Sequence, residues 1–138
     1  MKFHDGITYR EIPLENFNKC IISEFPDIDF WAQRGKSEGC YTACLATLLD
    51  IPPMIIPIFY SDVYSVEEAW ELSNEFASRY DYKLNYTTDF IPSGWSIAGG
   101  RTSTGYKHAT LCLDGDQVFD PWPNGNGLNK IRGFSYLT

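Results

Sequence analysis

Gly39-Cys40-Tyr41-Thr42-Ala43-Cys44-Leu45-Ala46-Thr47-Leu48-Leu49 is the stretch on which the reading of this chain turns. Cys40, Ala43, Cys44, Thr47 and Leu48 recur at intervals of three and four, which predicts one apolar face of an α-helix. Ser37, Glu38 and Gly39 give a polar, flexible entry, and Pro52-Pro53 predicts the stop. A thiol in the first turn of a helix sits at the positive end of the macrodipole, which favours the thiolate. Free cysteines are otherwise among the most buried residues, and Cys44, one turn on, reads that way. Cys40 becomes a nucleophile only if the chain sets a base beside it.

The chain has two histidines. His4 lies near the terminus and is set aside. His108 stands where the glycine-rich segment Gly99-Gly100-Arg101-Thr102-Ser103-Thr104-Gly105, read as a loop, enters a strand predicted over 108–113. Asp120 ends the next predicted strand, 117–120, and Asp114-Gly115 between them is a hairpin signal. The start of one antiparallel strand lies beside the end of its partner, so His108 and Asp120 come close. Register decides whether they can touch. A two-residue turn pairs Leu113 with Asp116 and puts His108 and Asp120 on opposite faces of the hairpin. A three-residue loop or a bulge puts them on one face as diagonal neighbours. Gln33, ahead of the cysteine helix, could add its amide to the Cys40 backbone N–H as an oxyanion hole.

Working outward, a second helix is predicted from Ser65-Val66-Glu67-Glu68, whose spacing is that of a capping box. Val66, Ala69, Trp70, Phe76, Ala77 and Tyr80 mark its apolar face. The apolar run between the two helices, 55–59, reads as an irregular connector packed on the core. Strands are predicted at 82–87, 95–98 and 131–137, with weaker extended segments at 7–12 and 19–25. Pro121-Trp122-Pro123-Asn124-Gly125-Asn126-Gly127 is a turn-rich loop. Helices first and an antiparallel run of strands after them give an α+β fold.

Composition bounds what such a fold can do. At 138 residues, with 16% aromatic and 21% charged residues, the chain is a single globular domain. A net charge of −7 without clustered Lys and Arg argues against a nucleic-acid partner. The first residues lack the apolar run of a signal peptide, and the longest apolar run, 51–60, carries three prolines and is too short to span a bilayer. A cytoplasmic protein with no membrane partner is expected, its four cysteines reduced. No metal is expected either. Cys40, Cys44, His108 and Cys112 have the residue types of a zinc set, but on a strand residues 108 and 112 stand about 13 Å apart, against zinc bonds of about 2.0–2.3 Å. Gly100 to Lys107 imitates a phosphate-binding loop, yet Tyr106 separates glycine from lysine and a strand follows in place of a helix.

Gln33, then Gly39-Cys40-Tyr41-Thr42-Ala43-Cys44, then His108-Ala109-Thr110-Leu111, then Val118-Phe119-Asp120-Pro121 together resemble the papain-like cysteine peptidase superfamily. The closest pattern is that of bacteriocin leader-processing peptidases and small phage and bacterial proteins of this type. Pro57-Ile58-Phe59, the Gly99–Gly105 segment, Asp120-Pro121-Trp122-Pro123 and Gly127-Leu128 extend the likeness. It covers residues 33–128, departing where Gln33 stands seven residues before Cys40 in place of six and where Thr104 replaces a frequent arginine. The resemblance implies a papain-like domain over 33–138, an extension over 1–32 packed on it, and a cysteine-bearing helix lying on an antiparallel sheet. It further implies Cys40 as nucleophile, His108 as base, Asp120 as the group orienting it and Gln33 as oxyanion partner, with no cofactor. The activity implied is hydrolysis of an amide, peptide or isopeptide bond in a protein or peptide substrate, that of a host if the chain is phage-encoded. A glutamine deamidase or acyl transferase would use the same residues, and a non-catalytic inhibitor could use the same fold. Gly99, Gly100, Ser103, Tyr106, Trp95 and Trp122 are the expected contact surface.

Overall fold

The computed structural model describes residues 3–4, 24–33, 39–60, 63–122 and 125–138. The predicted strand over 7–12 lies outside them. Of the segment 19–25 only Glu24 and Phe25 are described, and neither is extended in a strand. The chain is α+β: two α-helices among the described residues and a five-stranded antiparallel sheet.

Helix α1 (Cys40–Leu49) starts at the residue that the sequence periodicity gives it. Its burial exceeds that of an amphipathic stripe, since Thr42 to Thr47 are all inaccessible. The prolines do not end it. Asp50 does, in the left-handed conformation (φ 56°), while the Ile51 N–H reaches back to the Ala46 carbonyl and the Asp50 N–H to that of Thr47. These two bonds are a Schellman cap with aspartate in the place glycine usually takes. Pro53 then opens a short 3-10 turn, Pro53–Ile55. Of the apolar connector, Ile56 and Phe59 are buried while Ile55 is exposed.

Helix α2 (Val66–Ser78) begins with the full capping box. The Glu68 N–H donates to Ser65 Oγ at 3.1 Å, and the Ser65 N–H to Glu68 Oε1 at 3.2 Å. Its buried face is Ala69, Ser73, Phe76 and Ala77. Val66, expected on that face, is 77% exposed and borders an open cavity, not the core.

The sheet has the order β3-β7-β4-β5-β6, where β3 is Leu84–Thr87, β4 Trp95–Arg101, β5 Lys107–Leu113, β6 Asp116–Phe119 and β7 Lys130–Leu137. Strand β4 corrects the reading of residues 99–101 as loop: Gly99, Gly100 and Arg101 continue the ladder, pairing with Ala109, His108 and Lys107. Gly100 marks a close approach. The β4–β7 register shifts between Gly99 and Gly100, and a Cβ on Gly100 would collide with the Lys130 carbonyl.

Two short strands that the sequence pattern did not predict, β1 (Phe3–His4) and β2 (Phe30–Trp31), pair in parallel apart from this sheet. β2 is anchored to α1, since the Trp31 N–H donates to Thr47 Oγ1 at 3.0 Å and that hydroxyl donates to the Ala43 carbonyl. Phe30, fully buried, packs on Phe119 with ring centroids 4.9 Å apart. A side chain of that size contributes about 1.5–3 kcal/mol by leaving water. The main core joins Ala43, Cys44 and Leu45 of α1 to Ile97, Ala109, Leu111 and Phe119 of the sheet. Ala98 and Cys112, which alternate with these along β4 and β5, form a second cluster with Leu128 and Phe134. Cys40 therefore begins a rigid, deeply packed helix whose first turn meets the start of β5.

Candidate active site

The hairpin β5–β6 resolves the register question with a tight turn and a bulge together. Its tip is the tight two-residue turn, with Asp114 at φ 52° and Gly115 at φ 87°, and Leu113 pairs with Asp116. That register alone would separate His108 from Asp120. Between the pairs Cys112↔Gln117 and Leu111↔Phe119 the ladder shifts, so Val118 is an extra residue in β6. From there on, Asp120 shares a face with Thr110 and His108. The His108 Nε2 to Asp120 Oδ1 distance is 2.6 Å.

Asp120 is 1% exposed, and the chain surrounds it with donors. The Trp122 N–H donates to Oδ1 at 2.9 Å and the Gly127 N–H to Oδ2 at 2.8 Å. A buried carboxylate survives only when so satisfied. Gly125 is there for space, as a Cβ at that position would overlap the Asp120 carboxylate. Gln117 secures the returning chain: its Nε2 donates to the Leu128 carbonyl at 3.0 Å, while its Oε1 accepts from the Leu128 N–H at 2.6 Å and the Thr110 hydroxyl at 3.0 Å. Sequence reasoning missed Gly125 and Gln117. The one available signal was the density of glycines just after an Asp-Pro step.

The Cys40 thiol stands beside the same imidazole, close enough to act on its proton. Burial disfavours the imidazolium, yet the Asp120 carboxylate and the Cys40 sulfur outweigh it and push the His108 pKa up from 6.5 to about 9. Two further thiols among the described residues, Cys44 and Cys112, are buried. Burial pushes Cys44 well up, with the sulfur of Cys40 and the carboxylate of Asp120 adding to it, and raises Cys112 to about 11. Both are inert at neutral pH.

Gly39 precedes Cys40 with φ 88°, so no side chain caps the helix. The first-turn residues of α1, Gly39 to Thr42, border an open cavity of about 920 Å³, which His108 and Gly99 also line. An anionic oxygen at that helix end would meet N–H groups and the positive end of the dipole. Gln33 is buried, and its N–H donates to the Pro121 carbonyl at 2.9 Å, which ties it to the residue after Asp120. It does not line the cavity.

The expected contact surface divides. Gly99 borders the cavity, while Gly100 sits one step on, paired with His108. Ser103 and Tyr106 are exposed on the β4–β5 turn, Tyr106 at 71%. Trp95 packs at the opposite end of β4 against Phe25 and Phe30. Trp122 serves Asp120 through its backbone N–H. Instead the cavity takes its aromatic wall from Tyr60, Trp70 and Tyr86. His108 and Cys112 do lie on one strand, and among the described residues no three His, Cys, Asp or Glu side chains are grouped to hold a metal ion. No helix among those residues is long and apolar enough to cross a membrane. No protein-family model, curated protein or solved structure matches the chain.

Proposed function

We propose that this chain is a thiol hydrolase of papain-like type, cleaving an amide, peptide or isopeptide bond in a protein or peptide substrate. The observation that carries the reading is the His108 ring, set between the Cys40 sulfur and the buried Asp120 carboxylate. Such a ring can hold an imidazolium beside a thiolate and later return its proton. The Cys40 sulfur attacks the acyl carbon and the carbonyl electron pair moves onto oxygen, facing the uncapped amides of α1. As the C–N bond breaks, the His108 proton passes to the leaving nitrogen and a thioester remains on Cys40. Water attacks that thioester, gives a proton to His108 and expels the thiolate. An amine in place of water makes the same site a transferase, and a glutamine side chain as substrate makes it a deamidase. Asp120 does no proton transfer; it fixes the ring and stabilises its cation.

A limiting dose of iodoacetamide at about pH 6.5, followed by intact-mass analysis, tests this. Free cysteine is only about 1% thiolate there. One rapid adduct at Cys40 is expected, slowed at least ~10-fold in His108→Ala. Slow labelling that ignores His108→Ala removes the enzyme reading and leaves a binding protein on this fold.

A further inference from the structure

Helix α2 carries four glutamates, and two have structural duties: Glu68 closes the capping box and Glu75 bonds Arg79 at 3.0 Å. The side chains of the other two, Glu67 and Glu71, make no hydrogen bond or ion pair among the described residues, and both residues line the cavity that holds Cys40 and His108. They stand at i and i+4, where like charges repel and cost helix stability. Trp70 and the exposed Val66 line the same cavity, with Tyr86 against Trp70 at 6.3 Å between ring centroids. The opposite charge in the same lining comes from Lys107 and the His108 imidazolium on β5.

We infer that the α2 wall is a specificity site for a basic side chain of the substrate, a lysine or arginine one or two residues from the bond that Cys40 attacks. The inference rests on the thiol-hydrolase reading and deepens it. An aliphatic stem lies on Trp70 and Val66, the cationic head meets the aromatic faces of Trp70 and Tyr86, and Glu67 and Glu71 neutralise it. An acidic side chain is excluded by the two carboxylates. A volume of about 920 Å³ holds more than one side chain, which suits a peptide segment.

Three peptidyl chloromethyl ketones that differ only in carrying lysine, norleucine or glutamate at the tested position measure this directly, with the Cys40 adduct followed by intact mass. In each, the thiolate displaces chloride to form a C–S bond, so no turnover is needed. The lysine probe is expected to label at least 10-fold faster than norleucine, and glutamate slowest. In Glu67→Gln/Glu71→Gln the lysine advantage should collapse to within about 3-fold, while the small neutral iodoacetamide labels as in the parent protein. Equal rates for lysine and glutamate probes, with iodoacetamide labelling still dependent on His108, overturn the basic-residue site and leave the hydrolase reading intact. Loss of the His108 dependence overturns both.

Discussion

The two ends of the β5–β6 hairpin obey different rules. At the tip, Asp114 and Gly115 take positive φ in a two-residue turn, as that dipeptide prescribes, and the Gly94 N–H donates to Asp114 Oδ1 from outside the hairpin at 2.7 Å. At the open end the same hairpin is out of step with its own turn. Val118 is an added residue, and Asp120 is held by amides from Trp122 and Gly127 in the loop beyond the strand. The tip makes a fold and the open end makes a site. A local rule is robust to its surroundings; the arrangement at the open end depends on a loop that must return and close.

The largest effect should therefore come from removing Asp120. Asp120→Ala leaves the amides of Trp122 and Gly127 and the His108 ring without their shared acceptor in a buried place. Stability should fall by about 3–5 kcal/mol, the range for taking one partner from a buried charged pair. Urea unfolding followed by tryptophan fluorescence would show it. A loss under ~1 kcal/mol would mean that the loop, not the carboxylate, holds the open end together.

What the sequence made legible follows the same division. Helix α1, the Ser65–Glu68 capping box and the Asp114-Gly115 turn depend on residues within a few positions of each other, and all three are where the pattern puts them. The proximity of His108 to Asp120 was legible only as a condition, because a bulge has no letter of its own. Three features were not legible. The glycines at 99 and 100 read as loop, although both continue β4, and the missing side chain of Gly100 is what lets that strand pass the Lys130 carbonyl of β7. Val66 fitted the apolar period, yet helix periodicity cannot tell a core from the wall of a cavity. The parallel pair of β1 with β2 joins residues 3–4 to 30–31, and two-residue strands carry no period to detect.

A second, smaller effect separates the ends by pH. In the folded protein His108 titrates at about 9, above the ordinary 6.5, so folding favours its cation. The stability this confers is fully present below about pH 6.5 and is lost as pH rises through about 9, with an upper bound on the order of 3 kcal/mol. Unfolding free energies at pH 6 and pH 9.5 should differ more in the parent protein than in His108→Gln, whose side chain does not titrate. Identical pH dependence in the two proteins would show that the Asp120 carboxylate and the Cys40 sulfur do not hold the imidazolium.

The smallest effect is expected at the tip, from Asp114→Asn. Asparagine tolerates φ near +52° at least as well as aspartate, and Asn-Gly is a favoured pair for this turn. Its side-chain oxygen can still accept from the Gly94 N–H, now without the help of charge, at an exposed position where that help is weak. Gain and loss nearly cancel, so stability should move by less than ~0.5 kcal/mol. The rate of Cys40 alkylation should not move at all. Between tip and site the Val118 bulge has already reset the register, so a small adjustment of the turn is absorbed before it reaches His108 and Asp120. A changed alkylation rate in Asp114→Asn, with stability unaltered, would show that the turn does set the geometry of Cys40, His108 and Asp120 and that the two ends form one cooperative element.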